Sequence, residues 1–141
     1  MKKSTRYALY AAVELARAGE GELVQVARVA EQHGLPASVL AKTFQQLARA
    51  GLAVGSRGVG GGYTLARQPS SITVLDVIEA LEGPQANPSD HADCPLSRLF
   101  DEVHELNRDA FASVTLDNLT RGARLPRLPH NRRPSEMNGS S

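Results

Sequence analysis

Apolar residues recur at helical spacing in the first eighteen positions. Tyr7, Leu9, Ala12, Val13 and Ala16 predict a helix over 4–18, with Ser4 or Thr5 as its cap and Gly19 and Gly21 closing it. A second helix is predicted over 24–33, with Val26, Val29 and Ala30 facing inward. Gly34 then sits where the chain must reverse, because glycine reaches positive φ without strain. Pro36 suits the first turn of a third helix, 36–50, whose inner stripe is Leu40, Phe44, Leu47 and Ala48. The opposite stripe, Ser38, Lys42, Gln45 and Arg49, follows i, i+4, i+7 and i+11 and is wholly polar.

Gly51 stops the third helix, and the period then changes from helical to extended. Leu52 and Val54 start a short strand, residues 55–62 (GSRGVGGG) form a turn, and residues 63–66 (YTLA) return. After a break at 69–71, Thr73-Val-Leu-Asp76 has the shape of a capping box, with Asp in place of the usual Glu. It opens a helix over 74–82. A polar loop, 83–93, precedes a long helix from about Pro95 to about 113. There Leu96, Leu99, Val103, Leu106 and Ala110 alternate steps of three and four as a heptad seam, widened by Phe100, Phe111 and Val114. A domain this small has little against which to bury so broad a stripe, so the seam predicts a dimer helix.

The fold class that follows is mainly α with a small two-stranded β-wing: a winged helix-turn-helix plus a long C-terminal dimerisation helix. The expected units are a DNA-binding domain over 1–82, a loop over 83–94, a dimerisation helix over 95–120 and a disordered tail over 121–141. The tail is rich in Pro and Arg and poor in apolar residues.

Composition adds one thing that the pattern does not. The formal net charge is only +1, but it is segregated: +5 over residues 1–67, −8 over 68–120 and +4 over 121–141. A basic half beside an acidic one suits a polyanionic partner for the first. No apolar run approaches the roughly 18 residues of a membrane span. Glu14 and Arg17 interrupt the apolar N-terminus, so a helix in a cytoplasmic protein is expected there rather than a signal peptide. The lone cysteine, Cys94, excludes an internal disulfide framework.

The chemistry is that of recognition rather than catalysis. A helix fits the major groove of B-DNA, where side chains near its N-terminus meet base edges. Ser38 can donate or accept, Lys42 can reach guanine acceptors or a phosphate, and Gln45 can pair with adenine. Arg49, three turns along, suits the backbone. In the turn, Arg57 suits the minor groove, and Gly60 and Gly61 permit close approach to phosphates. The glycine run lacks the Gly-Lys-Ser/Thr ending of a P-loop. His33, His91, His104 and His130 show no metal-ligand spacing, and no arranged base or oxyanion site accompanies Cys94, so no enzyme is expected.

In order and spacing, these residues resemble the BadM/Rrf-type family of bacterial winged-helix regulators. The matching marks are Tyr7-Ala-Leu, Val29-Ala-Glu-Gln-His-Gly34, Leu47-Ala-Arg-Ala-Gly-Leu52, Ser56-Arg-Gly58 with Gly60-Gly-Gly-Tyr63, and the run from Ile72 to Glu82. Cys94-Pro-Leu and Val114–Leu119 also fit, so the resemblance covers about residues 1–120. It implies a homodimer that binds double-stranded DNA at a roughly palindromic operator. It also implies base-reading positions at Ser38 and Lys42 and a minor-groove wing arginine at Arg57. Cluster-bearing members carry three cysteines before the long helix; this chain keeps only Cys94. Ser97 and Arg6 stand where some relatives have a histidine or an acidic fourth ligand. Pro36 and Val39 stand where many have Ser and Tyr, so the operator sequence does not carry over.

The expectation is a dimeric repressor without an iron–sulfur cluster, with Cys94 as a redox-sensor candidate at the mouth of a helix. One alternative is an iron–sulfur or metal-dependent regulator whose atypical ligands include Asp90, His91 and Asp93. Another is a protein-interaction adaptor that does not bind DNA.

Overall fold

The computed structural model describes residues 1–57, 61–83 and 94–122. The first helix, α1, spans Lys3–Arg17, with Lys2 at its N-cap and no side-chain capping bond. Neither Ser4 nor Thr5 caps it. Thr5 is fully buried, and its hydroxyl donates to Glu82 Oε2 at 2.6 Å. The buried stripe is Thr5, Ala8, Ala11, Ala12 and Leu15, while Tyr7, Leu9, Val13 and Ala16 pack at its margins. Small side chains on this face let three other helices of the chain lie against α1.

Helix α2 (Val26–His33) begins two residues later than its periodicity suggests, because Val24 is occupied elsewhere. The Val24 N–H donates to Tyr63 O at 2.8 Å, and the Tyr63 N–H donates to Val24 O at 2.9 Å. Val29 and Ala30 are the buried pair of α2. Gly34, at φ 63°, ends it in the left-handed conformation that a glycine adopts without strain. Helix α3 (Ala37–Arg49) follows, with Pro36 as its N-cap rather than its first helical residue.

Strands β1 (Ala53–Ser56) and β2 (Gly62–Leu65) pair antiparallel, in register from Ala53↔Leu65 to Ser56↔Gly62. Val24 lies along the outer edge of β2 as a one-residue third strand. A Cβ on Gly62 would stand 2.5 Å from Val24 O, so only glycine lets the two backbones meet.

A short 3-10 turn at Pro69–Ser71 leads into α4 (Val74–Glu82). The predicted capping box is formed: the Asp76 N–H donates to Thr73 Oγ1, and the Thr73 N–H donates to Asp76 Oδ2. Helix α5 (Pro95–Ala112) starts at the expected Pro95 and ends within a residue of the expected 113, short of the end of the 95–120 dimerisation unit. The chain turns at 113–115 and forms α6 (Leu116–Thr120), capped by a second box between Thr115 and Asn118. The Val74 N–H donates to Val114 O at 2.8 Å and the Leu116 N–H to Ile72 O at 2.9 Å, so the two capped helix starts lie side by side. Leu116 is fully buried in the main core with Leu40, Phe44, Leu47, Ile72 and Val77. The end of the expected dimerisation segment thus packs in the main core.

Helix α5 has no buried residue along its 18 positions. Its half-buried inner stripe includes Ser97, Asp101, His104 and Phe111, and the Arg108 guanidinium reaches Glu79 Oε1 on α4 at 3.7 Å. Asp101 Oδ1 and His104 Nε2 are shielded from solvent without a hydrogen-bond partner among the described residues. The first half of the apolar seam faces outward, with Leu96, Leu99, Phe100 and Val103 45–57% exposed, whereas Leu106 and Ala110 are half-buried. Phe111 and Val114, expected to widen that seam, pack inward with Val74 and Ile78. Among the described residues, no helix is long and apolar enough to cross a membrane.

Candidate nucleic-acid interface

Helix α3 is amphipathic, and the core decides which stripe faces out. Leu40, Thr43, Phe44 and Leu47 are buried, with Thr43 donating its hydroxyl to Val39 O within the helix. Ser38, Lys42, Gln45 and Arg49 are all exposed. The sequence reading omitted Gln46, which is exposed beside Gln45. Its polarity was visible, but its place at the margin of the stripe made it look like ordinary surface.

Two contacts set how α3 is presented. On one side, the Phe44 ring packs on Tyr63 of β2, centroids 4.9 Å apart, which ties the helix to the wing. On the other, His33 closes α2 just before the Gly34 turn. Its ring stacks on Tyr10 at 5.2 Å, and its Nε2 lies 3.2 Å from Glu14 Oε1. Arg17 Nη1 reaches the same Glu14 oxygen at 3.2 Å. This α1–α2 clasp was not foreseen: two residues nineteen positions apart carry no periodic signal.

Arg57 is exposed just past the end of β1, and Gly61 is half-buried just before β2. Gly60 lies outside the described residues, as do Asp90, His91, Asp93 and residues 123–141. A cavity of about 410 Å³ opens between the wing and the first turn of α2, lined by Val26, Ser56, Arg57, Gly61 and Tyr63 among others. Helix α2 has no side-chain cap at Gln25, whose carbonyl accepts from the Arg28 and Val29 N–H groups. The cationic Arg57 and the polar Ser56 and Tyr63 thus share one concave face of the wing. Such a surface suits phosphates and groove edges.

The model of the Rrf2 family, described as "Iron-dependent Transcriptional regulator", matches residues 1–122. The chain belongs to the Rrf2 family. It is 45% identical over 86 residues to the HTH-type transcriptional regulator IscR of Cereibacter sphaeroides, a stretch covering 58% of this chain and 56% of that protein. The chain thus spans little more than half the length of that relative. It is 32% identical over 125 residues to the HTH-type regulator BadM of Rhodopseudomonas palustris, covering 84% of this chain and 80% of that one. The solved structure of CymR, the global cysteine regulator of B. subtilis, superposes with a TM-score of 0.77 at 30% identity, over 88% of this chain and 98% of that one. The winged-helix fold and the class of transcription regulator, not enzyme, are therefore this chain's own.

A single cysteine does not fit the thiolate set of an iron–sulfur cluster, the form of iron considered for this chain. Iron–sulfur clusters are held chiefly by thiolates, usually four. This Rrf2 chain has one cysteine. Among the described residues, no three His, Cys, Asp or Glu side chains gather closely enough to hold a metal ion. Cys94 is exposed and stands at the N-cap of α5. The backbone N–H of Ser97 and then that of Leu96 favour its thiolate, holding the thiol below the usual cysteine value against a slight burial penalty.

Proposed function

We propose that this Rrf2 protein is a homodimeric transcription regulator, a repressor, that reads a palindromic operator in double-stranded DNA without an iron–sulfur cluster. Ser38, Lys42 and Gln45 of α3 read base edges, Arg49 meets the backbone, and Arg57 enters the minor groove with Gly60 and Gly61 close to phosphates. Residues 1–82 form the DNA-binding unit, 83–94 the loop, and α5 the dimer helix. The observation that carries this reading is the wholly polar, exposed stripe of α3 held beside the wing. The outward apolar seam of α5 supports the dimer, because a second copy would cover it and bring two recognition helices onto one duplex.

The test is selection of genomic DNA fragments by the purified protein, followed by a salt titration on the best fragment. Enrichment of an inverted repeat is expected, with affinity falling steeply as salt rises because phosphate contacts release counterions. If no duplex is enriched even at low salt, the DNA-free adaptor reading replaces this one.

The lowered thiol pKa favours a second role, in which Cys94 is a redox sensor. The thiolate attacks a peroxide, forming a sulfenic acid and releasing hydroxide. Peroxide is expected to change operator affinity in the parent and not in Cys94→Ser. Equal responses in both would assign the sensitivity elsewhere.

A further inference from the structure

The outer edge of β2 is covered at one residue only. Tyr63 exchanges both backbone bonds with Val24, so its N–H and C=O point away from β1. These groups alternate in direction along a strand, so those of Leu65 point the same way as those of Tyr63. The Ala66 N–H, donating to Leu52 O at 3.0 Å on the other side, keeps that alternation. The residue that would pair with Leu65 is Glu22, two before Val24. It is folded back instead: its N–H donates to Gly19 O at 2.9 Å, and its carboxylate accepts from the Gly19 N–H at 3.0 Å. The Leu65 N–H and C=O therefore have no hydrogen-bond partner among the described residues.

A cavity of about 390 Å³ opens at this place, between the end of α1 and β2. Leu15, Ala16 and Leu65 give it apolar walls, and the exposed Glu20 and Glu22 add carboxylates. The guanidinium of Arg67, which also lines it, lies 3.8 Å from Asp76 on α4. The open charge is thus negative. An unpaired strand edge, an apolar wall and two carboxylates together suit an extended, basic segment with apolar side chains.

The chain carries such a segment. Arg124-Leu-Pro-Arg-Leu-Pro129, outside the described residues, is a three-residue repeat. With three residues per turn, polyproline II geometry puts the two leucines on one side and the two arginines on another, and leaves every carbonyl free to accept. The connection is short. Helix α6 packs on the Pro69–Ser71 turn, and Pro69 also lines the cavity. Extended, residues 123–129 reach about 25 Å from Gly122, more than the width of a helix.

We propose that residues 124–129 dock in this cavity of their own chain, as a short strand on the open edge of β2. The Leu65 N–H donates to a carbonyl of the repeat, and the Leu65 C=O accepts from one of its N–H groups. Leu125 and Leu128 rest on Leu15 and Leu65, while Arg124 and Arg127 face Glu20 and Glu22. A tethered segment has an effective concentration in the millimolar range, so contacts too weak to hold a free peptide suffice. The docked segment broadens the sheet of the wing. Any consequence for operator affinity rests on the function proposed above; docking itself does not.

NMR of the full chain tests this without DNA. Nuclear Overhauser contacts are expected from the methyls of Leu125 and Leu128 to those of Leu15 and Leu65. The Leu65 amide should exchange with solvent at least about tenfold more slowly in the parent than in the double variant Leu125→Asp, Leu128→Asp. Unchanged shifts at Phe44 and Leu116 report that the variant is folded, and the contact map uses the unsubstituted chain. A mixture of labelled and unlabelled copies, filtered for contacts between copies, tells which chain supplies the segment. Three results would overturn the proposal. The first is equal exchange of Leu65 in parent and variant, which leaves water on the edge. The second is leucine contacts confined to another surface. The third is contacts found only between copies, which makes the occupant a second chain's segment.

Discussion

Helices α3 and α5 are both amphipathic, but they treat their apolar stripes in opposite ways. In α3, Leu40 and Phe44 are 0% exposed and the polar stripe faces out. In α5 no residue is buried; a mixed stripe with Asp101, His104 and Phe111 lies half-buried while Leu96, Leu99, Phe100 and Val103 face solvent. An apolar stripe lies inward when enough of the chain's own surface is available to receive it. Helix α3 sits among α1, α2, α4 and the wing, whereas α5 has one main neighbour. The proposed dimer would cover this exposed seam.

The comparison can be broken most forcefully at matched phenylalanines. Phe44→Ala is expected to cost about 3–5 kcal/mol of folding stability in urea denaturation. Phe100→Ala, at an exposed position, should leave the folding of the single chain within about 0.5 kcal/mol. Comparable losses would mean that α5 belongs to the chain's own core.

An effect of similar size, on association rather than folding, is expected from Leu99→Glu combined with Val103→Glu. Each loses burial worth about 1.5–3 kcal/mol if a partner covers it. Sedimentation should then show a monomer, of unchanged helical content, at concentrations where the parent is a dimer. An unchanged sedimentation coefficient would move the interface off α5.

On the other helix, Lys42→Ala should weaken binding at a selected operator by about 1–3 kcal/mol without altering folding. Fluorescence anisotropy on the selected fragment measures this, and parity with the parent would remove Lys42 from the interface.

The smallest effect is a pH dependence where α1 meets α4. Glu82 has a folded-state pKa lowered chiefly by the Thr5 hydroxyl. Its contribution to stability is complete above the ordinary carboxylate value and is lost as pH falls through the lowered folded value. Thr5→Val should therefore flatten the acid limb of thermal stability. An identical acid limb would show that Glu82 gains nothing from the contact.

The features legible in the sequence were those whose cause is local. The capping box at Thr73, the reversal at Gly34, the start of α5 at Pro95 and the two stripes of α3 depend on residues a few positions apart. Helix α6 was not legible, since five residues are too few to establish a period. The cap of α1 was misassigned for a related reason. Thr5 looks like a cap locally, but its hydroxyl is directed to Glu82, seventy-seven positions away.

By itself, then, the sequence determined the type of unit: helix, turn, helix and wing, with a polar stripe on the helix that would enter a groove. Spacing and caps are short-range, and they survive without knowledge of the rest of the chain. Only the tertiary structure decided which side of α5 faces its own domain, that Gly62 is demanded by the carbonyl of Val24, and that Leu116 returns to the first core. Burial is a contest among all surfaces the chain brings together, and its outcome cannot be read from any single stretch.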